Sequence, residues 1–424
     1  MEDTIATASR NLLAIKWRAA SHFVFRKAKG LFPEAGEGIS SVLLYPAFED
    51  PEQFVDVLNR LAWYLPPDSF EDFEVHALAA TSSLSTSNME TPDAQSDYGP
   101  ERLPVTVHEL TAVDTLAEET DQIIVWDKTH RIDRTTLRRL GKVEIIDPAY
   151  YSLAESETWK QMTNQIRTQV QDSSAENFRA LERQAQDTST SYVFGTGPSL
   201  DNVFDFNIPS DALSIICNSI VRNENLLDHL QPDILVFADP VFHFGPSKYA
   251  HEFRDDAAAV LERYNCTAVI PKQYQSLFVG HYPELSDQII GLDPVSAQSP
   301  VYPSHNRLEV MGTHNIMTLF MLPIAMSLTE DIRIVGADGR KEDESYFWEH
   351  SDTAQYDDEL MKTVAETHPS FFRDRVYEDY YDQHVETLTE MIKYGEVDGK
   401  HFRNLTNSYI PCLDERKVDP TSFH

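Results

Sequence analysis

The chain of 424 residues carries 35 Lys and Arg against 69 Asp and Glu, a formal net charge of −34, and its length fits two domains or three. Its 41% hydrophobic and 11% aromatic content is enough for packed cores and excludes global disorder. The carboxylate excess excludes a non-specific nucleic-acid binder, which must neutralise phosphates with Lys and Arg. Cys217, Cys266 and Cys412 stand far apart with no CxxC pair, which argues against a disulfide scaffold and a structural zinc site. Only 13 of the basic residues are Lys. Two readings of this balance stay open: a salt-adapted, halophilic surface, or simply an acidic soluble protein.

No apolar run is long enough to span a bilayer; Ile316 to Leu328, interrupted by Thr318, Pro323 and Ser327, reads as a buried helix. Residues 1–36 read as a basic amphipathic helix. Thr4 to Pro33 holds no acidic residue but has Arg10, Lys16, Arg18, Arg26, Lys27 and Lys29, with Leu13, Trp17, Ala20, Val24 and Leu31 at helical spacing. This local reversal of charge suggests peripheral association with an anionic membrane through residues 4–33. Docking on the acidic body of the protein, or of a second copy, is the other reading. Basic residues running through the apolar positions argue against a secretory signal, so a cytoplasmic location is expected, at the inner face of the membrane if the helix binds lipid.

Residues 37–186 read as an N-terminal α/β domain. Strands are expected at Ser41–Tyr45, Phe73–Leu78, Val105–Leu110, Gln122–Trp126 and Lys142–Ile146, with an amphipathic helix over Pro51 to Leu65. Strands alternating with helical patterns predict a parallel sheet with covering helices. The stretch 82–102, rich in Ser, Thr, Asp and Pro, reads as a mobile polar loop. A polar helical stretch, Ser152 to Gln186, leads to the linker Asp187–Ser191, which sets the expected boundary near 186. Residues 187–424 then repeat the α/β rhythm, with strands at Tyr192–Phe194, Leu213–Cys217, Ile234–Ala238, Thr267–Ile270 and Ile332–Val335 and helices near Asp352–Glu366 and Val376–Tyr394. The expected fold class is therefore α/β, with a Rossmann-like doubly wound parallel sheet in the C-terminal half preceded by a second α/β domain.

Four apolar strands of the second unit end in polar groups. The first runs into Gly195-Thr196-Gly197-Pro198-Ser199-Leu200, the next into Asn218, the third into Asp239 before Pro240, and the last into Gly336-Ala337-Asp338-Gly339-Arg340. Glycines allow close backbone approach, and amides with a Ser hydroxyl can hold a phosphate or a sugar oxygen. The segment is neither the dinucleotide fingerprint nor a Walker loop, lacking the third glycine and the Gly-Lys-Ser/Thr. A tight turn explains it equally well. Ligand crevices lie at the carboxyl ends of parallel strands, so the four tips together predict a site. His243 follows the Asp239 tip, where it either lines the crevice or packs among aromatics, and Cys217 reads as an inert core thiol.

Gly195 to Leu200, Cys217-Asn218, the Gly312-Thr313 turn before a small apolar helix, and Ile334-Val335-Gly336-Ala337-Asp338 resemble the ordered landmarks of bacterial sialyltransferases. They also resemble the related group that includes archaeal hydroxymethylpterin pyrophosphokinases and motility-associated flagellin glycosyltransferases. The resemblance covers about residues 190–400. It implies a Rossmann-like nucleotide-binding domain with the Gly-Pro-Ser-Leu loop and Asn218 near the nucleotide. Together with the strand tips, this gives Gly195, Gly197, Pro198, Ser199, Leu200, Asn218, Asp239, Gly312, Thr313 and Asp338 as the expected nucleotide-binding residues. The sialyltransferases follow Gly-x-Asp with two tyrosines on the leaving phosphate and later a histidine base. Here Tyr346 matches one tyrosine and Arg340 stands for the charge of the other, while His350 and His368 are alternative bases; His384, inside an expected helix, is a weaker one.

Glycosyl transfer needs a base for the acceptor hydroxyl and donors for the departing phosphate, roles suited to His, Arg and Tyr. No Asp-x-Asp triplet ends a strand, so a metal-independent reaction without a cofactor is expected, the nucleotide sugar serving as substrate. The leading expectation is a nucleotide-sugar-dependent glycosyltransferase acting on a glycan, glycolipid or glycoprotein acceptor in surface glycan or glycoprotein biosynthesis. An ATP/Mg-dependent pterin-type pyrophosphokinase and a non-catalytic nucleotide-sugar-binding protein are the alternatives.

Overall fold

The computed structural model describes residues 40–80, 84, 90–127, 143–145, 164–205, 207–340, 358–368 and 377–420. The expected basic helix of residues 4–33, Tyr346 and His350 lie outside the described residues.

The first unit is built on β1 (Ser41–Phe48), α1 (Pro51–Tyr64), β2 (Glu74–Ala79), β3 (Val105–Glu109), α2 (Val113–Glu119), β4 (Gln122–Val125) and β5 (Val143–Ile145). All five strands are parallel, in the order β3-β2-β1-β4-β5. Helix α1 starts where Asp50 accepts a hydrogen bond from Glu52 N at 2.9 Å, with Pro51 opening the first turn; both are favoured helix-start chemistry. Its Phe54, Leu58 and Leu61 join the core formed with Val42, Leu44, Val75 and Ala77.

The second unit begins earlier than the linker suggests. Helix α3 (Asn164–Gln184) buries Phe178 and Leu181 in the core of the larger sheet. Its Asn177 Nδ2 donates to the carbonyls of Ser286 and Ile289, each at 2.9 Å. The chain continues through β6 (Thr190–Phe194), β7 (Leu213–Cys217), α4 (Glu224–Leu230), β8 (Ile234–Val236), α5 (Lys248–Tyr264), β9 (Thr267–Pro271), α6 (Lys272–His281), β10 (Ile289–Val295) and β11 (Glu309–Met311). A π-helical turn, Met317–Met321, then enters α7 (Leu322–Leu328), followed by β12 (Asp331–Val335), α8 (Asp358–Thr367), α9 (Tyr377–Val397) and β13 (His401–Asn404).

The eight strands are parallel, in the order β11-β10-β9-β8-β7-β6-β12-β13. From β6 the chain winds outward to β11, then returns to add β12 and β13 on the other side. The strand order therefore reverses between β6 and β12, the place where doubly wound sheets open a crevice at their carboxyl ends. Strand β7 is buried along its whole length, as a parallel strand covered on both faces requires. Separate apolar clusters fill the two faces, one including Leu235, Phe237, Phe253 and Ile270, the other Ile215, Val236, Phe320 and Ile334.

The polar stretch expected to be mobile is anchored over its later part. Asn59 of α1 donates to Gln95 Oε1 and to the Ser96 carbonyl, each at 2.9 Å, and accepts from Tyr98 N at 3.0 Å. Gln95 is buried. A side-chain amide that mimics backbone pairing has no hydrophobic periodicity, so the sequence pattern does not reveal it.

Candidate functional site

Four of the expected polar tips lie side by side at the carboxyl edge, on the adjacent strands β8, β7, β6 and β12. Register pairs Phe194 with Val335, Val193 with Ile215, and Cys217 with Val236, so the tips leave the sheet at nearly one level. With parallel strands about 4.8 Å apart, the row spans roughly 14 Å. Asn218 turns the chain out of β7 with φ of 49°, a left-handed conformation that asparagine tolerates better than most residues. Its side-chain oxygen is buried without a hydrogen-bond partner.

The Gly195–Leu200 segment is tied to the Asp338 tip of β12. Ser199 Oγ donates to Asp338 Oδ2 at 2.8 Å, and Ser199 N also points at the Asp338 carboxylate, 3.2 Å away. The amide and hydroxyl expected to receive a ligand phosphate are thus directed to an anion of the protein's own. Gly195 N donates to Val335 O at 2.8 Å and Gly197 N to Gly336 O at 2.9 Å. A Cβ on Gly195 would stand 2.6 Å from Gly336 O, and one on Gly197 would overlap the Asp338 carboxylate. The two glycines are required by the close approach of the β6 and β12 turns to each other. Pro198 is exposed, whereas Ser199 and Leu200 are buried. Burial pushes the Asp338 carboxyl upward from the usual carboxylate range, and the Ser199 hydrogen bonds oppose that shift.

Asp239 closes a turn at the β8 tip: its Oδ1 accepts from Val241 N at 2.8 Å and Phe242 N at 2.9 Å. His243 packs inside that turn, its Nδ1 accepting from Asp239 N at 2.9 Å, and burial drives its pKa down to about 3. It is a neutral structural histidine among aromatics. Gly312 and Thr313 follow β11, at the opposite edge of the sheet from β12. Gly312 N donates to Val295 O at 2.9 Å, and Thr313 shares a 2.9 Å hydrogen bond with Thr318.

Arg340 follows the Asp338 tip, with its guanidinium 4.6 Å above the Tyr381 ring of α9 and its amide donating to Tyr381 Oη at 3.1 Å. Tyr381 was not singled out from the sequence, because nothing in its helical context separates it from its tyrosine neighbours. His368 ends α8 fully buried; neither ring nitrogen has a hydrogen-bond partner, and burial holds its pKa well below the ordinary value. A general base must come within hydrogen-bond reach of the proton it takes, and in this conformation an acceptor cannot reach His368. His384 is likewise buried, with a pKa lowered to about 4. Cys217 is buried with its thiol pushed up to about 12, in keeping with an inert core residue.

The same edge also carries a pair that sequence reading passed over. Lys272, directly after β9, meets Asp293 of β10 at 2.7 Å. The signal was another strand tip ending in a polar residue, Ile270-Pro271-Lys272. Among the described residues, no group of three or more His, Cys, Asp or Glu side chains could hold a metal ion, and no helix is long and apolar enough to cross a membrane.

Fold and edge together define an α/β protein with a Rossmann-like parallel sheet and a row of polar strand tips at its topological switch. Two solved structures are similar to it. One is the monofunctional α-2,3-sialyltransferase Cst-I from Campylobacter jejuni, at 13% identity over 52% of this chain and 76% of that one, with a TM-score of 0.30. The other is the sialyltransferase CstII from the same organism, solved with the substrate analogue cytidine-5'-monophosphate, at 11% identity over 53% and 86%, with a TM-score of 0.27. No protein-family profile matches the chain, and no curated protein matches it.

Proposed function

We propose that the protein is a nucleotide-sugar-dependent glycosyltransferase of sialyltransferase-like type, acting in surface glycan or glycoprotein biosynthesis. The carrying observation is that the sialyltransferase-like motif residues Gly195 to Ser199, Asn218 and Asp338, with the Asp239 tip beside them, end adjacent parallel strands at the switch point. In this reading the half-buried Asn218 amide at the β7 tip pairs with the nucleotide base or sugar. The Asp239 and Asp338 carboxylates suit hydroxyl donors better than phosphates, because like charges repel at this range. Arg340, backed by Tyr381, provides the cation for the departing phosphate together with Tyr346. With His368 enclosed, His350 becomes the proposed base. No metal or cofactor takes part in the proposed reaction.

A thermal-shift screen of the full-length protein against CMP, UDP, GDP and Mg-ATP tests the reading, since a ligand at 100 times its Kd adds about 2.7 kcal/mol of stability. Preferential stabilisation by CMP, with release of CMP from a CMP-sugar, is the expected result. Stabilisation by Mg-ATP alone would replace it with the pyrophosphokinase reading, and CMP binding without turnover would leave a nucleotide-binding protein.

A further inference from the structure

We infer that Trp63 and Tyr98 of the first unit, acting with Arg254, are positioning residues that hold the Asp239–Gly245 turn at the tip of β8. The inference rests on the nucleotide reading above for what the turn binds, and on geometry alone for how the turn is held.

Three successive carbonyls of the turn are taken by buried side chains. Arg254 Nη1 donates to His243 O at 3.0 Å and to Gly245 O at 2.9 Å, while Trp63 Nε1 donates to Phe244 O, between them, at 2.9 Å. Arg254 Nη2 reaches Tyr98 Oη at 2.6 Å, and the guanidinium lies 3.8 Å from the centre of the Trp63 ring. His281 also stacks on this ring, with centroids 4.4 Å apart and its Nε2 2.7 Å from Trp63 O. The exit of the turn is fixed by backbone: Ser96 N donates to Pro246 O at 3.3 Å and Lys248 N to Ala94 O at 3.0 Å.

Arg254 is 0% exposed, with no ion pair to a carboxylate among the described residues. A buried cation is costly, and apolar side chains of similar volume often replace buried charges without loss of stability. This one directs its donors to turn carbonyls and a tyrosine hydroxyl contributed by the first unit. The arrangement fixes the backbone on which Asp239 sits before any ligand arrives, so binding need not order the turn. The first unit thus contributes to the site from behind by fixing one of its strand tips.

The test uses the full-length protein with Trp63→Phe, which keeps an aromatic ring and removes the indole donor, and Tyr98→Phe, which removes only the hydroxyl facing Arg254. CMP is the probe, by calorimetry, beside hydrogen–deuterium exchange. In either variant the amides of residues 239–247 are expected to exchange at least about tenfold faster while β6 and β7 keep their protection. CMP affinity should weaken about tenfold, the equivalent of one buried hydrogen bond. In an Asp239→Ala background the same substitutions should cost no further affinity, a coupling that a merely structural role would not produce. Equal losses of affinity in both backgrounds, unchanged exchange in the turn, or faster exchange throughout the protein would overturn the inference. If Trp63→Phe fails to fold, Tyr98→Phe decides. If the parent protein binds no CMP, the nucleotide reading falls, and the exchange pattern alone decides whether these residues hold the turn.

Discussion

Ser199 and Asp338, 139 positions apart, are joined by a 2.8 Å hydrogen bond from the serine hydroxyl to the carboxylate across the switch between β6 and β12. The bond locks together the two turns at which the sheet reverses its order. It also explains why a carboxylate can sit at a half-buried strand tip: an amide and a hydroxyl are aimed at it, and hydrogen bonding to the charged form offsets part of the desolvation cost.

Ser199→Ala is therefore expected to raise the Asp338 pKa further and to destabilise the protein more at pH 8 than at pH 4. A protonated carboxyl loses less by the change than a carboxylate does. With the folded pKa raised above the unfolded value, the unfolded chain binds fewer protons as pH rises through that window, so stability falls. Urea unfolding of parent and variant at both pH values measures this; an equal loss at both would show that Asp338 does not ionise against Ser199.

Gly197→Ala should cost about 2–3 kcal/mol, because its Cβ would overlap the Asp338 carboxylate and come within 2.8 Å of Gly336 O. Gly336 O is backbone, and the Asp338 carboxylate is held in place by Ser199. Chemical denaturation gives the number, and a loss below about 0.5 kcal/mol would mean that the two turns separate easily.

Acidification should destabilise the protein below about pH 6.5. Burial lowers His243 to about 3 and His281 to about 4, and holds His368 well below its usual value; nearby Arg254 adds to the first two shifts and Arg60 to the third. Between these folded values and the unfolded value near 6.5, the unfolded chain binds more protons, so stability falls as pH falls. Each such histidine contributes at most about 1.4 kcal/mol per pH unit. Urea midpoints at pH 8, 6.5 and 5.5 check the slope; a flat profile would contradict the enclosed, neutral state of these side chains.

His350→Ala is expected to cut turnover by about 10²–10⁴ while leaving CMP affinity nearly intact. His368→Ala should act through the melting temperature instead, since the buried ring lies against Gly245, and Arg60 Nη2 of the first unit donates to the adjacent Thr367 O at 2.7 Å. Steady-state kinetics and melting curves on both variants separate these roles; loss of turnover in the His368 variant at unchanged stability would return the base to that residue.

Removing residues 1–33 is expected to abolish sedimentation with vesicles containing phosphatidylserine, because each well-placed cation contributes about 1 kcal/mol at an anionic surface. Equal sedimentation of the full-length and shortened proteins would place those cations elsewhere.

The sequence by itself determined the alternation of strands and helices and the identity of most second-unit strands. Segments such as Ile234–Ala238 are short, fully apolar and bounded by polar residues, Asp233 and Asp239, and such patterns are local. It also pointed to Asn218, Asp239 and Asp338, since a polar residue ending an apolar strand is visible in one line of text. Only the tertiary structure decided that β6 and β12 are neighbours, that Ser199 serves Asp338, and that His368 is enclosed. The same holds for Trp63, Tyr98 and Arg254, which meet from three distant stretches of chain. Hydrogen-bond partners and burial at those positions depend on which strands lie side by side, and pairing between distant segments leaves no periodic trace in a single sequence.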